Sequence, residues 1–168
     1  ALWILASILI LQRPMGISSS TYRNVEDLLP LFFIGVQLFS MSLLGVFLLP
    51  GRQWELASRV LLLVAAGGGL TTGLLWQSQS AAADWGMLVM GMLVQSAGLA
   101  LAGFVLIRQA RSRHWGLLLL SFAAAQLLFN FEDWRAIFLA LEGVLAIGIM
   151  VLMYRPAPGT TPGTPAVS

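Results

Sequence analysis

Apolar residues fill most of the chain in long blocks, and short polar breaks separate one block from the next. A helix that crosses a bilayer needs about 20 mainly apolar residues. Four blocks reach that length, the fifth is at the lower limit, and the first is shorter. The pattern therefore predicts an all-α, polytopic transmembrane helix bundle of about six spans, near residues 1–17, 28–49, 57–76, 85–107, 115–130 and 134–154.

The two ends of the chain depart from this pattern. The block from Ala1 to Leu11 is too short to span unless it continues past Pro14 to Ile17, or unless other residues precede it. No basic segment stands before it, so we expect no signal peptide. Residues 155–168 are rich in Pro, Gly and Thr and have little to bury, so we expect a disordered tail after a transmembrane domain of residues 1–154.

Composition points to the same class of protein. Hydrophobic residues make up 58% of the chain and charged residues 10%, whereas a soluble domain carries about 25% charged residues. Because so few polar side chains cannot cover a surface in water, we expect the lipid bilayer as partner and a bacterial-type inner or plasma membrane as location. The net charge is only +2, and the arginines lie at the ends of the predicted spans and do not line one face. We therefore expect no nucleic-acid partner.

The arginines predict an orientation. Six lie on one side of the predicted bundle and three on the other, and the richer side should face the cytoplasm, together with both termini. Three of the six, Arg108, Arg111 and Arg113, share one loop. This loop either only anchors the topology or also binds anionic lipid head groups, so bound lipid is the one non-protein component that we expect.

The tryptophans lie at the ends of the predicted spans. They are Trp3, Trp54, Trp76, Trp85, Trp115 and Trp134. Because the amphipathic indole ring prefers the membrane–water interface, this placement predicts two aromatic belts.

Missing residue types exclude several kinds of chemistry. The chain has no cysteine, no lysine and a single histidine, His114. Thiol catalysis, iron–sulfur clusters, Schiff bases on lysine and bis-histidine haem ligation within this chain are therefore excluded. No Ser–His, Asp–Asp or multi-histidine group falls inside the predicted spans, so we predict no catalytic residue, no metal site and no cofactor, and we favour a protein that is not an enzyme.

Glu142 is the one acid deep inside a predicted span. It lies nine residues after Asp133, while Gln37 and Gln95 lie ten and eleven residues after the acids Asp27 and Asp84, which precede two other spans. At 1.5 Å per residue all three reach a depth of roughly 14–16 Å, near the middle of a bilayer core.

We therefore predict a polar cluster of Glu142, Gln37 and Gln95 at the midplane, which Gln126 extends toward the outer face. One interpretation is a solute or proton site in which Glu142 titrates. The other is that these side chains hold the helices together by hydrogen bonds, and we favour it.

Small residues cluster in the third predicted span. Gly67, Gly68, Gly69 and Gly73 lie in the stretch GGGLTTG, and Gly98 lies in the fourth span. Such residues let two helices approach closely, which is the interpretation that we favour. The alternative is a broken helix that lines a substrate path.

These observations favour a non-catalytic subunit, or an assembly or scaffold factor, of a larger membrane complex, with other membrane proteins as partners. The alternative is a small-solute or proton-coupled transporter that uses the midplane cluster around Glu142. An intramembrane enzyme ranks last because the catalytic groups are missing.

Overall fold

The computed structural model describes residues 1–13, 28–45, 56–77, 85–109, 112–129 and 134–153. Within these residues it contains helices and no strand, which confirms the all-α prediction. The helices are α1 (Leu2–Leu11), α2 (Leu29–Gly45), α3 (Leu56–Gln77), α4 (Trp85–Ile107), α5 (Arg113–Leu128) and α6 (Ile137–Met153), and a 3₁₀ turn (Trp134–Ala136) precedes α6. The predicted tail, Arg111 and the three span-preceding acids Asp27, Asp84 and Asp133 lie outside the described residues.

The predicted and observed helix bounds agree best in the middle of the chain. Helices α3 and α4 match the predicted spans to within one residue at each end. Helix α1 ends at Leu11, six residues before the predicted end, and Gln12 is its C-cap. Pro14 explains the early end, since a proline disfavours helical geometry in the residue before it.

Each helix packs against the next one along the chain, and α6 packs against α1, so the six helices form a closed ring. Helices α1 and α6 run antiparallel, because Ser7 donates a hydrogen bond of 2.9 Å to the carbonyl of Ala136 while Ile4 faces Gly143. The ring thus brings together the first and the last of the described helices.

Helices α3 and α4 touch through their backbones. A Cβ atom on Gly68 would lie 2.7 Å from the carbonyl oxygen of Gly91, and one on Gly98 would lie 2.9 Å from the backbone nitrogen of Ala65. Glycine is therefore required at both positions for this approach. Gly67 differs from the packing prediction, because it lies on the exposed face of α3 and nothing lies within 4 Å of its Cβ position.

A second close crossing joins α4 to α5. Gly103 faces Gly116, and a Cβ atom on Gly103 would lie 2.8 Å from the carbonyl oxygen of Gly116. The glycines of α4 therefore serve two neighbours, with Gly91 and Gly98 against α3 and Gly103 against α5.

Trp3 fills the space between α1, α2, α5 and α6. Its side chain is 3% exposed, and its Nε1 donates a hydrogen bond of 3.0 Å to the carbonyl of Phe32. Its ring lies 5.8 Å from Phe39 and 5.7 Å from Phe122, and these two phenylalanines stack at 4.5 Å. The structure therefore places this tryptophan in the core, whereas the sequence predicts it in an interfacial belt.

The core is mostly apolar but also holds several polar side chains, and large apolar side chains cover much of the outer surface of the bundle. Buried polar residues include Ser7, Ser40, Ser58, Thr72, Gln95, Ser96, Gln126 and Glu142. The exposed faces of α3 and α4 carry mostly large apolar side chains: Val60, Leu63, Val64, Leu74, Val89, Met90, Leu93, Val94, Leu101 and Phe104. Of the described helices, these two are long and apolar enough to cross a membrane.

Candidate functional site

A chain of buried hydrogen bonds joins α2, α4 and α5. Gln95 Nε2 donates to Ser40 Oγ at 3.0 Å, and Gln126 Nε2 donates to Gln95 Oε1 at 3.0 Å. Ser96 Oγ lies 2.7 Å from Gln126 Oε1, to which it donates. The structure thus brings together two of the sequence-predicted cluster residues, Gln95 and Gln126, and adds two serines that the sequence did not single out.

Both serine hydroxyls also lie within hydrogen-bond distance of a carbonyl in their own helix, which for Ser96 is an alternative acceptor to Gln126. Ser40 Oγ donates to the carbonyl of Val36 at 2.8 Å, and Ser96 Oγ lies 2.9 Å from the carbonyl of Met92. Each carbonyl is four residues earlier, a common way for a helical serine to satisfy its hydroxyl. Because serine is self-sufficient in this way, its presence in an apolar block gives no signal of a contact with another helix.

Gly69 makes room for this network. A Cβ atom at this position would overlap Ser40 Oγ and Gln95 Nε2, and would lie 2.8 Å from Gln95 Cδ. Because Gly69 has no side chain, the hydrogen bond between Ser40 of α2 and Gln95 of α4 can lie directly against α3. Its role is more specific than the general close packing that the sequence predicts.

Gln37 does not join the network. Gln77 Nε2 donates to Gln37 Oε1 at 3.1 Å in a partly exposed pair between α2 and α3. Gly73 makes room for this pair, because a Cβ atom there would lie 2.6 Å from Gln37 Nε2. The predicted depth of Gln37 does not decide its partner, since the side chain is directed toward α3 and not toward α4.

Glu142 stands apart from both sets of hydrogen bonds. Its side chain is 0% exposed, and neither carboxyl oxygen has a hydrogen-bond partner in the described part of the chain. It lies on the inward stripe of α6 with Leu139, Ala146 and Ile149, which are also buried. An unpaired buried acid is costly, so this position is the strongest candidate for a function other than packing.

A cavity of about 230 Å³ lies beside this stripe, between α1, α2 and α6. Its lining residues are Ala1, Leu2, Trp3, Gly35, Leu38, Phe39, Gly143, Ala146, Ile147 and Met150. The side chains of these residues are all apolar, and two of them, Trp3 and Phe39, are aromatic. Glu142 itself is not among the lining residues, but the next residue and the residue one turn later both are.

Two of the three predicted lipid-contacting arginines are described, and both are exposed. Arg108 follows the end of α4 and places its guanidinium 4.5 Å from the centre of the Phe104 ring. Arg113 begins α5 at the same end of the bundle, next to the exposed His114. This end therefore presents basic groups to the surroundings, as a site for anionic head groups requires.

The described residues contain no group of three or more His, Asp or Glu side chains that would hold a metal ion. Among them, the buried amides and hydroxyls of the α2–α4–α5 network bond to one another, and Glu142 is the buried acid without a partner. The chemistry that this arrangement offers is hydrogen bonding between helices and one carboxyl group beside an apolar cavity.

Replacing Gln95 with leucine is expected to lower the free energy of unfolding by about 1–2 kcal/mol. Two hydrogen bonds are lost, and Gln126 keeps a buried amide without its acceptor. Gln77→Leu is the matched control, because its bond is partly exposed and its loss should cost less than about 0.5 kcal/mol. Denaturation in detergent, followed by circular dichroism, measures both changes. Equal losses in the two variants would show that the buried network does not stabilise the fold.

Comparison of the chain with protein-family models, with curated proteins and with solved structures finds no match.

Proposed function

We propose that this chain is a multi-pass integral membrane protein whose six helices form one bundle. The observation that supports it is the apolar outer surface of the bundle, where leucine, valine, isoleucine and methionine side chains are exposed while several glutamine and serine side chains are buried. A helix on the surface of a soluble protein would carry a polar face toward water. Continuous apolar surface around α3 and α4 suits lipid instead.

Single-cysteine labelling tests the membrane proposal and its orientation, and the chain suits it because it has no native cysteine. In sealed vesicles, Val94→Cys on the exposed face of α4 should resist a membrane-impermeant maleimide from either side. Arg113→Cys at the start of α5 should react only from the cytoplasmic side. Labelling of Val94→Cys in intact vesicles would contradict the proposal, and labelling of Arg113→Cys from the outer side alone would reverse the orientation.

Within the membrane we propose a non-catalytic role, as a subunit or scaffold of a larger complex. The hydrogen-bonded network of Ser40, Gln95, Ser96 and Gln126 supports it, because these polar groups are engaged in holding helices together. Exposed apolar faces on every described helix leave room for neighbouring membrane proteins.

Native purification tests the subunit role. The protein, extracted in mild detergent at its native expression level, should migrate on a native gel with other membrane proteins in one complex. Migration as a lone chain of 18.1 kDa in its detergent belt would contradict this role. The test does not depend on Glu142, so it separates this role from the next one.

A second candidate function is a small-solute or proton-coupled carrier. The unpartnered carboxyl of Glu142 favours it, since acids inside membrane bundles commonly mark ion or proton pathways. Proteoliposomes loaded with a pH-sensitive dye should then show proton flux under an imposed potential, and Glu142→Gln should abolish the flux. Absence of flux in the unaltered protein, or the same flux in the variant, would contradict the carrier.

A further inference from the structure

The end of the bundle at which α4 leads into α5 presents exposed arginines with exposed apolar side chains directly behind them. We propose that this end binds one anionic phospholipid, with its phosphate between Arg108 and Arg113 and an acyl chain along the outer faces of α4 and α5. The inference rests on the proposed location in a membrane and extends it, because it names a lipid class and a site. It does not involve Glu142.

The segment that contains α4, α5 and their connection carries basic side chains and no acidic one. Residues 85–131 include Arg108, Arg111, Arg113 and His114, and they include no Asp or Glu. Of the described members of this set, all three are exposed: Arg108, Arg113 and His114. Because this segment has no carboxylate of its own to neutralise the arginines, an anionic head group supplies the opposite charge. A choline head group brings its own cation and does so less well.

Close packing of α4 on α5 holds the two arginines beside each other. A Cβ atom on Gly116 would lie 2.6 Å from the backbone nitrogen of Ile107, and one on Gly103 would lie 2.8 Å from the carbonyl oxygen of Gly116. The two backbones therefore touch as far as Ile107, the last residue of α4. Arg108 follows this contact directly, and Arg113 precedes it by three residues. Two long side chains that start beside one backbone contact can converge on a single phosphate group.

Phe104 positions the guanidinium of Arg108. The Cζ atom of Arg108 lies 4.5 Å from the centre of the Phe104 ring, which is one helical turn earlier on α4. The attraction is between the positive charge and the face of the ring, and a phenyl ring has no oxygen that would occupy the five N–H donors. The guanidinium is thus held at the edge of the apolar surface with donors for two oxygens of one phosphate, the geometry that arginine binds best.

Apolar side chains continue the outer surface behind both arginines. On α4, Leu101 is 54% exposed and Phe104 is 51% exposed, seven and four residues before Arg108. On α5, Leu117 is 51% exposed and lies four residues after Arg113. Spacings of four and seven residues place side chains on one face of a helix. An acyl chain along these faces stays in apolar contact while the phosphate remains at the basic end. A free phosphate ion lacks this second contact, so the surface suits a lipid.

Native mass spectrometry of the full chain in a neutral detergent tests the site with phosphatidylglycerol and with phosphatidylcholine of the same acyl chains. Phosphatidylglycerol should bind at least about tenfold more tightly. Arg108→Gln and Arg113→Gln should each weaken its binding about fivefold and leave phosphatidylcholine unchanged, because one basic group beside an anionic lipid contributes about that factor. Arg13→Gln is the matched control, since Arg13 follows the end of α1, beside the start of α6, and this variant should bind as the unaltered protein does.

Two further arms test the ring and the source of the phosphate. Phe104→Leu keeps an apolar side chain without the ring and should weaken binding of phosphatidylglycerol about two- to fivefold. An excess of glycerol 3-phosphate should not displace the lipid, and displacement would show that a free phosphate suffices and would overturn the lipid site. Circular dichroism confirms that each variant is folded.

The site is also overturned if the two lipids bind equally, or if both arginine variants bind phosphatidylglycerol within twofold of the unaltered protein. Either result, with Val94→Cys still protected from the maleimide in vesicles, contradicts this site and leaves the membrane proposal standing. Labelling of Val94→Cys contradicts the membrane proposal itself.

Discussion

Replacing Trp3 with alanine is expected to lower the free energy of unfolding by about 3–5 kcal/mol, the largest effect of any single change considered for this chain. The indole is 3% exposed and contacts aromatic rings of both α2 and α5. Its removal leaves a cavity among four helices and also deprives the Phe32 carbonyl of its hydrogen bond. Trp3 therefore links α1 to both α2 and α5.

Two further variants separate the contributions of the ring. Trp3→Phe keeps much of the apolar volume and loses the Nε1–H donor, so it should cost less than the alanine variant. Leu5→Ala on the same helix is the control, because its side chain is 49% exposed and its truncation should cost less than about 0.5 kcal/mol. Denaturant titration in detergent, read by circular dichroism, ranks the three. A Trp3→Ala variant as stable as Leu5→Ala would show that α1 is not anchored through this ring.

The buried position of Trp3 could not be predicted from the sequence. The prediction of an interfacial belt assumes that every apolar block crosses the full membrane, so that a block's first residues lie at a surface. In the structure Trp3 lies against Gly35 of α2 and Ile4 lies against Gly143 of α6, and both glycines are away from the ends of their helices.

The polar cluster shows a similar limit. Depth along a helix follows from counting residues, and Gln95 and Gln126 do meet. The direction of a side chain around its helix depends on which helices are neighbours, and the sequence does not supply that ring order. Gln37 therefore bonds to Gln77 on α3, and Glu142 bonds to none of the described groups, although both were predicted at the depth of Gln95.

Helix bounds were easier to predict, because they depend on local features. Long apolar blocks with polar breaks define α3 and α4 closely, and Pro14 explains the early end of α1. The role of each glycine, in contrast, depends on which neighbouring helix it faces, and local sequence does not determine that. Gly67, Gly68 and Gly69 are adjacent in the sequence, yet the first faces outward, the second faces the α4 backbone and the third faces the polar network.

The second large prediction concerns Gly68, the middle one of these three glycines. Gly68→Ala is expected to lower the free energy of unfolding by about 2–3 kcal/mol, toward the upper end for an overpacked core. The new Cβ atom would lie 2.7 Å from the Gly91 carbonyl oxygen and 2.8 Å from the Gln95 nitrogen. Both are backbone atoms that no rotation of a side chain can move, so α3 and α4 would have to separate along their whole crossing.

Gly67→Ala is the matched control, since it makes the same chemical change one residue earlier. Its Cβ atom would have nothing within 4 Å, and alanine favours a helix over glycine by up to about 1 kcal/mol. This variant should therefore be as stable as the unaltered protein or slightly more stable. Denaturation of both variants under one condition measures the difference, and a Gly68→Ala variant no less stable than Gly67→Ala would mean that α3 and α4 do not cross at Gly68. The comparison holds helix propensity constant, so any remaining difference reports the contact between the two backbones.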